Sequence, residues 1–187
     1  AVLVEGNFDV ISMHQAGFTG TVAPLGTALT PEQVELLRRQ TNEVILFYDG
    51  DRAGRAATRA ALEIMLAADV PVRIAWRPRG DGVRLEGQDP DSLLRAGVDV
   101  GAMIDNARDG LEHYAFELVS SGSDSGDSRA RALEDIARLA SRIPGETKRE
   151  VVVAKIASKI GVETGVITRA LSRAATSGWT PRVSAPP

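Results

Sequence analysis

Two aspartates stand one residue apart in 46-LFYDGDRAGRAA-57, where an apolar run gives way to an alanine-rich stretch. Asp49 and Asp51 have counterparts. Glu5, followed by Gly6, closes the apolar run 1–4, and Asp89 and Asp91 flank Pro90 some way after the apolar run 72–76. Carboxylates gathered at one place repel each other unless a cation lies among them. The chain has no cysteine and two isolated histidines, His14 and His113. Hard oxygen donors without thiolate or clustered imidazole favour Mg²⁺ or Mn²⁺ over Zn²⁺. Magnesium takes octahedral oxygen ligation, often completed by water and a substrate phosphate. Taken alone, Asp49 and Asp51 would merely start a helix, and Asp91 would read as a cap or turn residue. The repetition at three strand exits is what points to an ion.

The elements that must position these residues follow from the apolar patterning. Strands are expected at 1–4, 21–23, 44–48 and 72–76, with helices at about 8–16, 31–40 and 52–68 between them. The second helix opens on a capping box, 30-TPEQ-33, with Thr30 as N-cap and Pro31 at the first helical position. Strands alternating with helices imply an α/β fold, a parallel sheet covered on both faces and joined by right-handed crossovers. Ligands of such sheets sit beyond the carboxyl ends of the strands. Every acid named above falls there, as do Gly26 and Thr27 after the 21–23 strand. Residues 77–88 form a polar, glycine-rich loop, and 89-DPDSLLRAG-97 turns into a short capped helix.

After about residue 106 the pattern changes, and no further strand is expected. Helices are expected at about 109–119, 129–142, 147–160 and 164–175, with 120–128 as a flexible linker. The expected organisation is an α/β unit over 1–105, a small helical bundle over 106–176 and a flexible tail over 177–187. The abrupt start on Ala1-Val2-Leu3-Val4 suggests a piece of a longer protein. No run approaches the ~20 apolar residues of a membrane span, and the first residues do not resemble a secretory signal, so a cytoplasmic location is expected. The net charge is −3. Nucleic-acid binders usually carry a basic excess, so much of the positive surface for such a partner must lie elsewhere.

The acidic pattern resembles the Toprim domain, shared by bacterial-type DNA primases, type IA and type II topoisomerases and some nucleases. The matching segments are 4-VEGNFDV-10 and 48-YDGDRAGRAA-57. With 25-LGTALTPEQ-33, 89-DPDSLLR-95, 142-RIPGETKRE-150 and 160-IGVETGVITRAL-171, the chain is most similar to bacterial DNA primase of the DnaG type, over about residues 1–175. The resemblance implies metal ligation by Glu5, Asp49, Asp51, Asp89 and Asp91, with Asp9 as a further acidic position. It implies a DNA-templated RNA polymerase using two or more Mg²⁺ or Mn²⁺ ions, about 3.5–4 Å apart in two-metal sites. Glu5, Asp49 and Asp51 would carry the chemistry, with Glu5 as ligand or proton acceptor. Arg52 and Arg55, with Gly26 and Thr27, would meet nucleotide phosphates. The implied partners are NTPs, a single-stranded DNA template with its RNA primer, and a replicative helicase docked through a C-terminal domain outside this stretch. Guanosine alarmones are implied as possible inhibitors.

Asn7 departs from the family, which often has an aromatic there, and the 77–88 loop is longer than usual. The 187 residues contain neither the family's zinc-binding domain nor its template-binding N-terminal subdomain, so primer synthesis by this stretch alone is not expected. A Toprim nuclease and a non-catalytic nucleotide- or partner-binding module are the alternatives; a topoisomerase would need a tyrosine-bearing domain. Two weaker patterns are read conservatively. The tripeptide Arg79-Gly80-Asp81 is a turn. Residues 156–171 form a helical hairpin packing Ile156, Ile160, Ile167 and Leu171, in preference to a helix-turn-helix DNA reader.

Overall fold

The computed structural model describes residues 1–24, 26, 28–76, 88–121 and 125–176. Thr27, the loop 77–87 with its Arg-Gly-Asp tripeptide, and the tail from 177 onward lie outside the described residues, as do 122–124 of the expected linker. Five short strands, β1 (Val2–Leu3), β2 (Thr21–Val22), β3 (Val44–Leu46), β4 (Val72–Ile74) and β5 (Arg108–Asp109), form one sheet in the order β2-β1-β3-β4-β5. The first four are mutually parallel. The fifth runs antiparallel on the edge, pairing Arg73 with Asp109 and Ile74 with Arg108. The expectation of an all-parallel sheet ending before residue 106 is therefore corrected. A two-residue Arg-Asp strand has no apolar alternation to betray it.

Alternation along the strands builds two cores. Leu3, Val44, Leu46 and Val72 join Val34, Leu62 and Met65 in one buried cluster. Val2, Val4 and Phe47 join Met13, Leu93, Val100 and Met103 in the other. The first cluster is covered by α2 (Pro31–Gln40) and α3 (Arg52–Ala67), the second by α1 (Asn7–Gln15), α4 (Pro90–Arg95) and α5 (Val100–Asp105). At six residues, α5 is too short to show a helical period, and the sequence reading did not include it. The capping box forms at the start of α2: Thr30 Oγ1 accepts from the Gln33 amide at 3.3 Å, and Gln33 Oε1 accepts from the Thr30 amide at 3.0 Å.

Four more helices follow among the described residues: α6 (Gly110–Ser121), α7 (Gly126–Ala140), α8 (Glu146–Ile160) and α9 (Thr164–Thr176). Helix α6 runs to Ser121, and Ser125 caps α7, so the helices take up most of the expected linker. Ile136, Leu139, Ile156 and Ile167 are fully buried and belong to the same cluster as Leu62 and Met65. One continuous apolar core thus runs from the sheet through α3 into the bundle. Gly161 at φ 67° closes α8 with a left-handed cap, and Ile156, Ile160 and Ile167 bury themselves on either side of it, as the hairpin reading expects.

The junction between sheet and bundle is tight. A Cβ on Gly110 would lie 2.8 Å from Leu62 Cδ2 and 3.0 Å from the Val72 carbonyl oxygen. Gly110→Ala is expected to cost about 1–3 kcal/mol through overpacking, read as a lowered urea midpoint with an unchanged slope. A neutral effect would show that α6 can retreat from β4.

Candidate active site

The exits of β1 and β3 deliver their acids by short, backbone-bonded turns. The ladder reaches one residue past β1 and β3, with the Val4 amide donating to Val22 at 3.0 Å and the Phe47 amide donating to Leu3 at 2.9 Å. Glu5 and Tyr48-Asp49 therefore leave adjacent strands side by side. The Asp49 amide donates to Glu5 Oε1 at 3.1 Å, across 44 residues of sequence. Asp51 caps α3, its Oδ1 accepting from the Gly54 amide at 2.7 Å. Arg55 donates through Nη1 to the Gly50 carbonyl at 2.7 Å, bracing the turn between the two aspartates from outside.

Gly54 is the residue that the sequence reading missed. A Cβ there would lie 2.0 Å from the Asp49 carbonyl oxygen and 3.0 Å from Glu5 Oε1. The first turn of α3 can approach the β3 exit this closely only because position 54 has no side chain. The pattern Asp-x-Asp-x-x-Gly was visible in the sequence, but a glycine inside a helix does not announce which backbone it faces.

A second cluster of contacts closes the rim from the α1–α4 side. Asp9 is 5% exposed, and both its oxygens accept backbone donors: Oδ2 from the Gly6 amide at 3.1 Å and Oδ1 from the Asp91 amide at 3.3 Å. Asp89 caps α4 through the Ser92 amide at 2.6 Å. Asp91 accepts from the Ser12 hydroxyl and pairs with Arg95 Nε at 2.9 Å. The i,i+4 pairing with Arg95 was legible in the sequence; the Ser12 contact, 79 residues away, was not.

These carboxylates feel one another. Burial, then the charges of Glu5, Asp89, Asp9 and Asp51, push the Asp49 carboxyl up to about 6. Burial likewise raises Glu5 against the lowering effect of the Asp49 amide, and the charges of Asp51 and Asp9 raise it further. Asp9 is raised mainly by burial, with Asp89 and Asp91 adding to it against the two amides. Asp91 is the exception, held low by Ser12 and Arg95. Five of the six expected acids thus enter the electrostatics of Asp49 or Glu5, and Asp91 joins through Asp9. Among the described residues no three of them close into a ready-made metal cage. The donor set is nevertheless all hard oxygen, and Asp49 makes no side-chain hydrogen bond among the described residues. That suits a Mg²⁺-type ion, which keeps several waters and takes one or two carboxylates plus substrate phosphates.

Of the other expected site residues, Arg52 and Arg55 are exposed on the first turn of α3. Gly26 adopts φ 67° beyond β2, exposed, with no contact to the acids among the described interactions. His14 bonds the Thr21 carbonyl at 2.9 Å, and His113 is buried in α6; neither joins the acidic group.

Residues 1–75 match the family model of the Toprim domain, and residues 114–165 match that of the DnaB-helicase binding domain of primase. The class is therefore a Toprim protein with a primase-type helical segment. The DNA primase of Deinococcus radiodurans is 39% identical over 140 residues, covering 72% of this chain and 23% of that protein. The crystal structure of the zinc-binding and RNA polymerase domains of Aquifex aeolicus primase superposes with a TM-score of 0.69 at 29% identity, covering 90% of this chain and 39% of that one. A DnaG primase catalytic domain bound to single-stranded DNA gives 0.65 at 34% identity, covering 88% and 52%. The chain belongs to the bacterial DNA primases of the DnaG type, and it spans about a quarter of the length of the curated relatives it matches.

Two outcomes test this geometry. The folded chain holds the Asp49 proton up to about pH 6, while an unfolded aspartate releases it near 3.8. The folded state therefore loses stability as pH rises through that window. Asp49→Asn should melt higher than the native chain at pH 7.5, with the difference shrinking toward pH 4; a difference independent of pH would show that Asp49 is not crowded by negative charge. Gly54→Ala should lower the melting temperature by several degrees, because the helix start or the Asp49 backbone must shift. An unchanged melting curve would refute the close approach.

Proposed function

We propose that this chain is part of the catalytic core of a DNA primase, a nucleotidyltransferase that makes RNA primers on a DNA template. The observation that carries the reading is the Glu5–Asp49–Asp51 rim, where Glu5 accepts the Asp49 amide between adjacent strands, and burial, with the neighbouring negative charges, raises Asp49 to about 6. Two or more bound Mg²⁺ or Mn²⁺ ions would lower the pKa of a primer 3′-hydroxyl and neutralise the incoming triphosphate and its pyrophosphate leaving group. Asp49, Asp51, Glu5 and Asp89 are the residues that would hold them: Asp49 with no side-chain hydrogen bond among the described residues, the other three with a carboxylate oxygen left over from a backbone contact. Asp9 and Asp91 are the more heavily bonded members of the set, and in this proposal they chiefly fix α1 against α4. Arg52 stands exposed at the helix start to receive phosphate, while Arg55 keeps the Asp49–Asp51 turn in shape. Gly26 and Thr27, which follow β2 in the sequence, are proposed to meet the nucleotide. The division into a metal-binding unit over 1–105 and a helical subdomain over 106–176 belongs to the same proposal.

The single-stranded DNA in the related catalytic-domain structure supports a template partner for this chain. The match of residues 114–165 to a helicase-binding model supports a helicase partner, and a contact on the bundle is proposed beside the C-terminal domain expected from the sequence. NTPs are the proposed substrates, and guanosine alarmones the proposed competitors at the same rim. No helix among the described residues is long and apolar enough to cross a membrane, and a cytoplasmic site of action is proposed.

Calorimetric titration of Mn²⁺ and then NTP into the purified chain tests the reading. The expected result is metal-dependent NTP binding, weakened more than about 10-fold by Asp49→Asn and by Asp51→Asn, and less by Asp91→Asn. Asparagine still caps α3 at position 51, so that variant removes charge without removing the cap. Retained affinity in both variants would overturn the assignment. Metal-dependent cleavage of DNA by the native chain would favour a Toprim nuclease instead.

A further inference from the structure

The helix that carries Asp51 and Gly54 at its start is gripped at its middle by the bundle. Arg59, two turns into α3, donates to both oxygens of Asp135 in α7, through Nη2 to Oδ1 at 2.7 Å and Nε to Oδ2 at 3.0 Å. The Tyr114 hydroxyl of α6 completes Asp135 at 2.8 Å. One turn beyond Arg59, Glu63 accepts from Arg59 Nη1 at 3.3 Å. It also accepts from Arg142, just past α7, through Nε at 3.1 Å and Nη2 at 2.9 Å. The Glu63 and Asp135 side chains are 18% and 21% exposed, so the network is half-buried and shielded from much of the solvent.

We infer that Asp135 and Arg142 are positioning residues for the acidic rim, acting through α3 on Asp51 and Asp49. The apolar core already holds α3 against the bundle, and apolar contact is tolerant of small slips. A bidentate guanidinium–carboxylate pair is not, because both bonds depend on one planar alignment. Arg59 and Glu63 lie four residues apart on one face of α3, and separate bundle groups hold each, so the helix is fixed in both rotation and translation. From Arg59 to Asp51 is ~12 Å of continuous helix. At the far end Gly54 rests against the Asp49 carbonyl with no room for a Cβ, so movement of α3 must be passed to the β3 exit. Tyr114, Asp135 and Arg142 all fall within the segment that matches the helicase-binding model. A load on the bundle surface would therefore reach the carboxylates by this route. The inference rests on the proposed metal-binding reading for its consequence, but not for its geometry.

The experiment pairs two readouts on the full chain, well below each variant's melting temperature. Amide hydrogen exchange reports the 49–54 segment, and Mn²⁺ titration reports the rim. Asp135→Asn and Arg142→Gln should speed exchange at the Asp49 and Gly54 amides by about 10-fold. They should also weaken Mn²⁺ by roughly 3–10-fold. Asp135→Glu, which keeps the charge, should restore both toward native values. Tyr114→Phe removes a single hydroxyl and should shift both readouts less, in the same direction; it stands in if the charge variants do not fold. Variants that melt lower yet leave the 49–54 amides and Mn²⁺ affinity unchanged would overturn the inference and leave the network as a plain stability clamp. A native chain that binds no Mn²⁺ would sink the metal reading instead, while the exchange data would still decide the positioning role.

Discussion

Everything at the rim depends on holding like charges together. Glu5, Asp9, Asp49, Asp51 and Asp89 repel each other in the folded chain, and the unfolded chain relieves that repulsion. The framework counters it with backbone amides: the Asp49 amide on Glu5, the Gly54 amide on Asp51, the Ser92 amide on Asp89, and the Gly6 and Asp91 amides on Asp9. Of these five, Asp49 is the one carboxylate with no such donor among the described residues. Burial and the neighbouring charges push its carboxyl up to about 6. A charge left unsatisfied in the middle of satisfied ones is where a cation gains most.

That arrangement is possible because the sheet is rigid beneath it. Residues alternate between two buried clusters along β1 and β3, so the strands cannot slip without turning an apolar set to the wrong face. The exits of β1 and β3 are therefore fixed in register, and Glu5 meets the Asp49 amide as a consequence of pairing Leu3 with Leu46. The bundle extends this rigidity. It shares its core with α3 and adds β5 to the sheet edge, and the Arg59–Asp135 and Glu63–Arg142 pairs give the shared core a directional lock. Whether a buried ionic lock adds net stability over an apolar one is a matter of small differences. What it adds in any case is a single preferred alignment.

Much of this was legible before any coordinates. Helix α2 falls at 31–40 as its capping box and proline imply, and α8 and α9 follow their apolar periods to within a residue. The acids stood out because carboxylates at strand exits interrupt an otherwise apolar grammar. Strand β5 and helix α5 were invisible for the opposite reason: two or six residues are too few for a period to emerge. The helices also took up most of the expected 120–128 linker, because serine and glycine start and end helices as readily as they fill loops.

What the amino-acid order settled by itself was local: which longer stretches alternate, where α2 is capped, which residues carry charge, and that the charges recur at strand ends. What tertiary structure alone decided was the pairing across distance. It seated Gly54 on the Asp49 carbonyl, brought Ser12 to Asp91 and divided the acids into strongly and weakly bonded members. It also tied α3 to a helix 76 residues further on through Arg59 and Asp135. Propensity and periodicity act over a few residues, whereas these contacts are selected by the packing of whole elements, which no short window of sequence contains.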